Sequence, residues 1–77
     1  MSVEEIHRIL NVHDIEYSAE LHRASEYSDL DGEVPPETLI LGAGKHFPND
    51  DFLKVTIVLD ENLRFARLIS RVKRPVL

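Results

Sequence analysis

The sequence predicts a small α+β fold, and three patterns within its 77 residues indicate it. An acidic N-terminal segment has the apolar spacing of a helix, two apolar runs in the middle have the length of strands, and an arginine-rich C-terminal segment again has helical spacing. Hydrophobic residues make up 43% of the chain and charged residues 30%, which is the balance of a folded protein. We therefore expect residues 1–77 to form one domain in the order α-β-β-α.

The first element is predicted to be an amphipathic helix that begins at Ser2. Ser2 and Glu5 have the spacing of a capping box, in which the hydroxyl accepts from the third helical amide and the carboxylate accepts from the cap amide. Apolar side chains then follow one helical stripe, and no Gly or Pro interrupts residues 1–31. The stripe comprises Val3, Ile6, Ile9, Leu10, Tyr17, Leu21, Ala24 and Tyr27. These features favour one helix with a kink near His13.

A competing interpretation ends this helix at Val12. The residues from Asn11 to Asp14 would form the break, and the segment from Ile15 to Leu21 would be a strand, because apolar residues occupy every second position in it. Two apolar residues, Val12 and Ile15, lie off the helical stripe, which is the weak point of the single-helix interpretation.

The middle of the chain is predicted to be a loop followed by a β-hairpin. Residues 29–37 contain acids, a glycine and two adjacent prolines, which is the composition of a loop. Thr38 to Leu41 is a short apolar run, Gly42 to Gly44 permits a bend or bulge, and residues 47–50 have turn chemistry. Phe52 to Leu59 is the clearest strand, and it can pair with the preceding run.

The C-terminal segment is predicted to be an arginine-rich amphipathic helix. Its apolar residues Phe65, Leu68, Ile69 and Val72 have the spacing i, i+3, i+4, i+7. Asp60 can cap this helix and Pro75 can end it, with basic residues near the C-terminal end of the helix dipole. A strand would mix arginine with apolar residues on both faces, so the spacing favours the helix over a strand for residues 63–73.

Charge is distributed very unevenly along the chain, whose net charge is −5. Residues 1–37 carry ten acids against two arginines, whereas residues 63–77 carry five cations and no acid. These cations are Arg64, Arg67, Arg71, Lys73 and Arg74. Guanidinium groups bind carboxylates and phosphates, so this set is the candidate partner-binding surface, either for the acidic half of the chain, for a protein or for nucleic acid.

The glycine-rich segment from Gly42 to His46 is a weaker candidate for binding an anion. Lys45 follows two glycines, as in phosphate-binding loops. A P-loop, however, requires a glycine where this chain has Leu39 and a Ser or Thr where it has His46. We therefore expect the glycines to serve the backbone geometry of the hairpin.

No catalytic, metal or cofactor site is predicted from the motifs. The chain has four histidines, His7, His13, His22 and His46. Their spacing does not match an i, i+4 ligand pair or an HExxH motif. We expect His13 to be partly buried, and His7 and His22 to point to solvent. The sequence contains no cysteine, which excludes disulfides and cysteine zinc sites.

The functional hypothesis is a non-catalytic regulatory or adaptor module that binds proteins. Two strands expose at least one edge, and homodimerisation would enlarge a small core. A stoichiometric inhibitor is a narrower form of this hypothesis. The alternatives are a nucleic-acid-associated regulator that uses the C-terminal arginines, and a small anion-binding enzyme centred on Gly42 to His46. A cytoplasmic location without membrane contact is expected, since the N-terminus opens with acids and no long apolar run occurs.

Overall fold

The computed structural model describes residues 1–30 and 32–74, which contain one α-helix and five strands. The elements are α1 (Val3–Val12), β1 (Glu16–Tyr17), β2 (His22–Arg23), β3 (Leu39–His46), β4 (Phe52–Leu59) and β5 (Phe65–Lys73). Two 3₁₀ turns, Ala24–Glu26 and Ser28–Leu30, follow β2. The α+β class was thus partly correct, but the predicted order of elements was wrong.

The strands form one antiparallel sheet with β4 in its interior. β3 pairs with β4 on one side and with both short strands, β1 and β2, on the other, while β5 pairs with β4. The predicted hairpin is present, and its register runs unbroken from Ile40↔Val58 to His46↔Phe52. The bend or bulge expected at Gly42–Gly44 does not form, because these residues continue β3 without a shift in register.

The capping box that begins α1 is confirmed. The Ser2 hydroxyl accepts from the Glu5 amide at 3.3 Å, and the Glu5 carboxylate accepts from the Ser2 amide at 3.5 Å. The helix ends at Val12, and Asp14 takes a left-handed conformation with φ 53°. A side chain with a short polar group tolerates this conformation, which turns the chain toward β1. The preferred single helix was therefore wrong. The alternative was correct in ending the helix at Val12, but its strand from Ile15 to Leu21 is reduced to the two residues of β1.

The two faces of the sheet carry separate apolar clusters. Under α1 the buried residues are Ile6, Leu10, Leu41, Val55, Ile57 and Leu59. On the opposite face, which we call the loop face, they are Ala24, Leu30, Ile40, Val58 and Ile69, with Tyr27 and Val34 packed against them. Covering on both faces explains why the second half of β4, from Val55 to Leu59, is buried at every position.

The predicted C-terminal helix is wrong, because residues 65–73 form the strand β5. Asp60 does act through its side chain, but it closes a turn: its Oδ1 accepts from the amides of Asn62 at 2.8 Å and Arg64 at 3.0 Å. Leu63 takes φ 59° in this turn, and the chain returns along β4. Pro75, the expected helix stop, lies outside the described residues, as does Asp31 of the predicted loop.

A β-bulge explains why the apolar spacing of β5 imitated a helix. Strand register changes between Val58 and Leu59, so that Val58 faces Arg67 while Leu59 faces Phe65. The shift brings Phe65 to the helix face of the sheet together with Leu68, whereas Ile69 is buried in the cluster on the loop face. Apolar residues at i, i+3 and i+4 thus belong to two faces of one bulged strand.

The strand assignment predicts unequal effects of truncating two neighbouring side chains. Ile69 is 5% exposed and Leu68 is 54% exposed. We expect Ile69→Ala to lower the free energy of unfolding by about 2–5 kcal/mol, because it leaves a cavity in the core. Leu68→Ala should lower it by less than about 1 kcal/mol. Chemical denaturation of both variants checks this, and two equally large losses would instead indicate a helix with both side chains in the core.

The capping box predicts a pH-dependent contribution to stability. Hydrogen bonds from the Ser2 amide and hydroxyl hold the pKa of the Glu5 carboxyl below its ordinary value of 4.5. The stabilisation is therefore present above pH 4.5 and is lost as the pH falls through the lower folded-state pKa. Thermal melts should show Glu5→Gln less stable than the wild type at pH 7, with the difference closing in acid. In a Ser2→Ala background the same change should have a smaller but still measurable pH-dependent effect, because the hydrogen bond from the hydroxyl is lost while that from the amide remains.

Candidate functional site

The outer side of β5, which we call the β5 edge, is open along most of its length. At its start, the Phe65 amide donates to the Met1 carbonyl at 2.7 Å, and Ser2 bridges to Arg64. Beyond this point, no strand in residues 1–30 or 32–74 pairs with the outer side. The opposite edge of the long strands differs, because β1 and β2 cover β3 there. Alternate N–H and C=O groups of β5 are consequently available to another strand.

A basic row runs along the loop face of β5. Arg67, Arg71 and Lys73 lie on this face together with Ile69, because they face residues of β4 on the same side of the sheet. Arg71 Nη2 forms an ion pair with Glu33 Oε1, and Arg67 Nη1 donates to the Glu33 carbonyl at 3.5 Å. The row therefore already binds one carboxylate, which comes from the loop that covers this face.

The structure divides the five predicted partner-binding cations. Arg67, Arg71 and Lys73 form the basic row, whereas Arg64 precedes β5 beside Ser2. Arg74 follows β5, and its Nε lies 4.0 Å from Asp51 Oδ2. The four arginines therefore do not form one surface, since Arg67 and Arg71 share a face of β5 while Arg64 and Arg74 lie outside the strand.

An apolar groove of about 390 Å³ lies on the other face of β5, between this strand and α1. Its lining includes Met1 and Ile9 from the N-terminal segment, Phe65 and Leu68 from β5, and Leu53 from β4. Met1, Ile9, Phe65 and Leu68 are all exposed. Val72, which is 61% exposed, continues the apolar side of β5 beside this groove, because it faces Leu53 in the register.

Sequence reasoning missed the groove because it assigned Leu68 and Val72 to the core of a helix. A signal for the strand was nevertheless present. From Arg67 to Lys73, basic residues and Ile69 occupy the odd positions, while Leu68, Ser70 and Val72 occupy the even ones. This period of two is typical of a strand whose faces meet different surroundings.

The segment from Gly42 to His46 is built into the sheet. Gly44 is paired with β4 on one side and with β1 on the other, and the Gly42 carbonyl accepts from the Ser18 amide at 3.0 Å. Lys45 Nζ donates to the His13 carbonyl at 3.3 Å. The backbone amides of a strand paired on both sides are used by the sheet, so this geometry offers no cradle for an anion.

The two glycines of β3 make room for aromatic rings. A Cβ at Gly42 would lie 3.0 Å from the Tyr27 hydroxyl, and a Cβ at Gly44 would lie 2.8 Å from Phe52 Cε2. Neither glycine has a positive φ. Their role is therefore the close approach of side chains, whereas the sequence suggested a role in bending the backbone.

A serine, a histidine and a glutamate come together in the segment around β2. Ser18 Oγ lies 3.1 Å from His22 Nε2, and Glu26 Oε2 lies 3.8 Å from His22 Nδ1. Ser18 Oγ also donates to the Glu20 carbonyl and accepts from the Glu20 amide, both at 3.2 Å. The hydroxyl is thus bound to its own turn, and the His22–Glu26 distance exceeds a hydrogen bond. We interpret these contacts as stabilising the connection between β1 and β2.

Three histidines differ from expectation. One is His22, which was expected to point to solvent but is half-buried. His13 is exposed, although it was expected to be partly buried. His7 is half-buried and stacks on Tyr17 with ring centroids 4.5 Å apart, although it was expected to point to solvent. In the described part of the chain, no group of three or more His, Asp or Glu residues could hold a metal ion. No helix there is long and apolar enough to cross a membrane.

The close approach at Gly44 predicts that an added methyl group is destabilising. Gly44→Ala should lower the free energy of unfolding by about 1–3 kcal/mol, because the new Cβ overlaps the Phe52 ring. Gly42→Ala should cost less, since only the far end of Tyr27 must move. Denaturation curves of Gly44→Ala, Phe52→Ala and the double variant check this, and additive effects in the double variant would contradict the account.

The comparisons with known proteins give this chain no family. No family model, curated protein or solved structure matches it. The inference about function therefore rests on the β5 edge, the basic row and the apolar groove.

Proposed function

We propose that the protein is a small, non-catalytic regulatory or adaptor module that binds another protein chain at the β5 edge. The observation that carries this proposal is the nine-residue strand β5, which over most of its length pairs with the described part of the chain on one side only. Long open edges are uncommon in soluble proteins, because they are templates for pairing with other chains. Addition of a strand to such an edge is a common mode of peptide recognition.

The side chains of β5 support the same proposal. Leu68 and Val72 expose apolar surface on one face, and the basic row offers charge on the other. A strand added beside β5 would contact both surfaces at once, because its own side chains also alternate between the two faces. Main-chain hydrogen bonds would supply affinity, and the two surfaces would supply specificity.

Self-association is part of the proposal. The chain is small and has no disulfide, so burial of the exposed groove against a second copy would enlarge its core. A stoichiometric inhibitor, which would occupy the binding surface of one target, is a narrower form of the same function. We place this activity in the cytoplasm, with the absence of cysteine from the sequence as support.

A pair of matched variants tests the proposed surface. Leu68→Lys with Val72→Lys places two charges beside the β5 edge, and Val12→Lys with Phe47→Lys places the same charges at exposed apolar positions elsewhere. All four side chains are exposed, so both double variants should melt within a few degrees of the wild type. Affinity capture from a lysate of the source cells should recover the same defined protein with wild type and control but not with the β5 variant.

Equilibrium sedimentation of the same three proteins tests self-association. The wild type should show concentration-dependent association at tens of micromolar, an order of magnitude typical of modest homodimers. The control should behave like the wild type. A wild type that stays monomeric and captures no defined protein would contradict the proposed function, as would a β5 variant that retains every interaction.

A further inference from the structure

We infer that the β5 edge recognises an extended peptide segment in which acidic residues alternate with apolar ones. This inference rests on the proposed function and names the chemistry of the partner. In the complex the segment would lie beside β5 as an added strand, with its carboxylates toward the basic row and its apolar side chains toward Leu68, Val72 and the groove.

The basic row accounts for the acidic positions of the partner. Arg67, Arg71 and Lys73 lie on one face of β5, with Ile69 between the two arginines, so every second residue of an added strand faces the same row. β5 itself contains no acidic residue. The ion pair between Arg71 and Glu33 shows that carboxylates fit this row. Arginine adds bidentate hydrogen bonding to the charge attraction.

The opposite face of β5 accounts for the apolar positions. Leu68 and Val72 are 54% and 61% exposed, and Ser70 between them is small and lines the groove. Apolar side chains of an added strand would stand beside these residues and cover them. Exposed Ile9 and Met1, which also line the groove, would complete the contact. A polyanion such as nucleic acid would use the basic row but leave this apolar surface in water, so a peptide fits the whole surface better.

Charge argues against a second copy of β5 as the added strand. In an antiparallel pair centred on Ile69, Arg67 of one copy would face Arg71 of the other. Each strand would contribute Arg67, Arg71 and Lys73 and no acid, and like charges directly opposite each other are destabilising. The favoured occupant is therefore a strand of opposite charge, and self-association would use the groove without pairing the two β5 strands.

Synthetic peptides test this inference directly. The first peptide has nine residues with Glu and Val in alternation, the second has Lys in place of each Glu, and the third is the first peptide with N-methyl groups on all of its backbone amides. Each is titrated into the ¹⁵N-labelled full chain at pH 7 and low salt, and chemical shifts of the amides are recorded. The Glu peptide should bind at least about tenfold more tightly than the other two, with the largest shifts in β5.

Two variants of equal charge change provide the controls. Arg67→Gln with Lys73→Gln neutralises the row while leaving the Arg71–Glu33 pair in place, and Arg8→Gln with Arg23→Gln removes two cations elsewhere. The first variant should bind the Glu peptide about tenfold more weakly than the wild type does. The second should change the affinity for this peptide by less than about twofold. Thermal melts confirm that both remain folded.

Several results would overturn the inference. The Lys peptide or the N-methylated peptide binding as tightly as the Glu peptide would exclude an acidic added strand. A twelve-nucleotide oligothymidylate that binds more tightly than the Glu peptide, and is lost in the Arg67/Lys73 variant, would assign the row to nucleic acid. If the wild type captures a protein through Leu68 and Val72 but does not bind the Glu peptide, the proposed function stands and this inference falls.

Discussion

The burial of β4 on both faces is the constraint on which the rest of the structure depends. Five consecutive residues of this strand, from Val55 to Leu59, are buried, so the sheet needs cover on both sides. Within residues 1–30 and 32–74, the single α-helix α1 covers one face. The other face is covered by the irregular segment between β2 and β3, through Ala24, Tyr27, Leu30 and Val34. This irregular segment thus covers the loop face in place of a second helix.

This arrangement explains why β5 is both part of the core and open to solvent. Ile69 points into the cluster under the irregular segment, which anchors the middle of the strand. α1 packs its buried residues over β3 and β4, and the side of the sheet formed by β5 remains exposed beside it as the groove. Glu33 of the covering segment reaches Arg71 and neutralises part of the basic row. The candidate binding surface is therefore a direct consequence of having one helix for two faces.

The sequence was sufficient to predict the elements whose signals are local. The capping box at Ser2 and the β3–β4 hairpin both rest on neighbouring residues. The C-terminal element was wrong because a bulge at Val58/Leu59 moved Phe65 to the face of Leu68 and produced helical spacing in a strand. That bulge depends on a partner strand, which periodicity alone does not contain. The candidate cations were identified from composition. The structure was needed to show that three of them form the basic row, that Arg64 lies beside Ser2 and that Arg74 lies near Asp51.

The role of the glycines in β3 also depends on contacts between strands. Their spacing suggested either a bend or an anion loop, and both ideas treated Gly44 as a property of the backbone alone. Phe52 of β4 pairs with His46 of β3, two residues beyond Gly44. Its ring occupies the space that a side chain at Gly44 would need. A packing requirement between strands leaves no local signature in the sequence.

β5 is an edge strand that is hydrogen-bonded to β4 on one side. Amide hydrogen exchange, measured residue by residue, tests this assignment. Beyond Phe65, we expect the exchange rates to alternate along β5, with slow exchange for amides that face β4 and fast exchange for those that face the open edge. Binding of an added strand should then slow the fast set. Protection of consecutive amides from residue 66 to residue 73 in the free monomer would indicate a helix or a covered edge and would contradict the account.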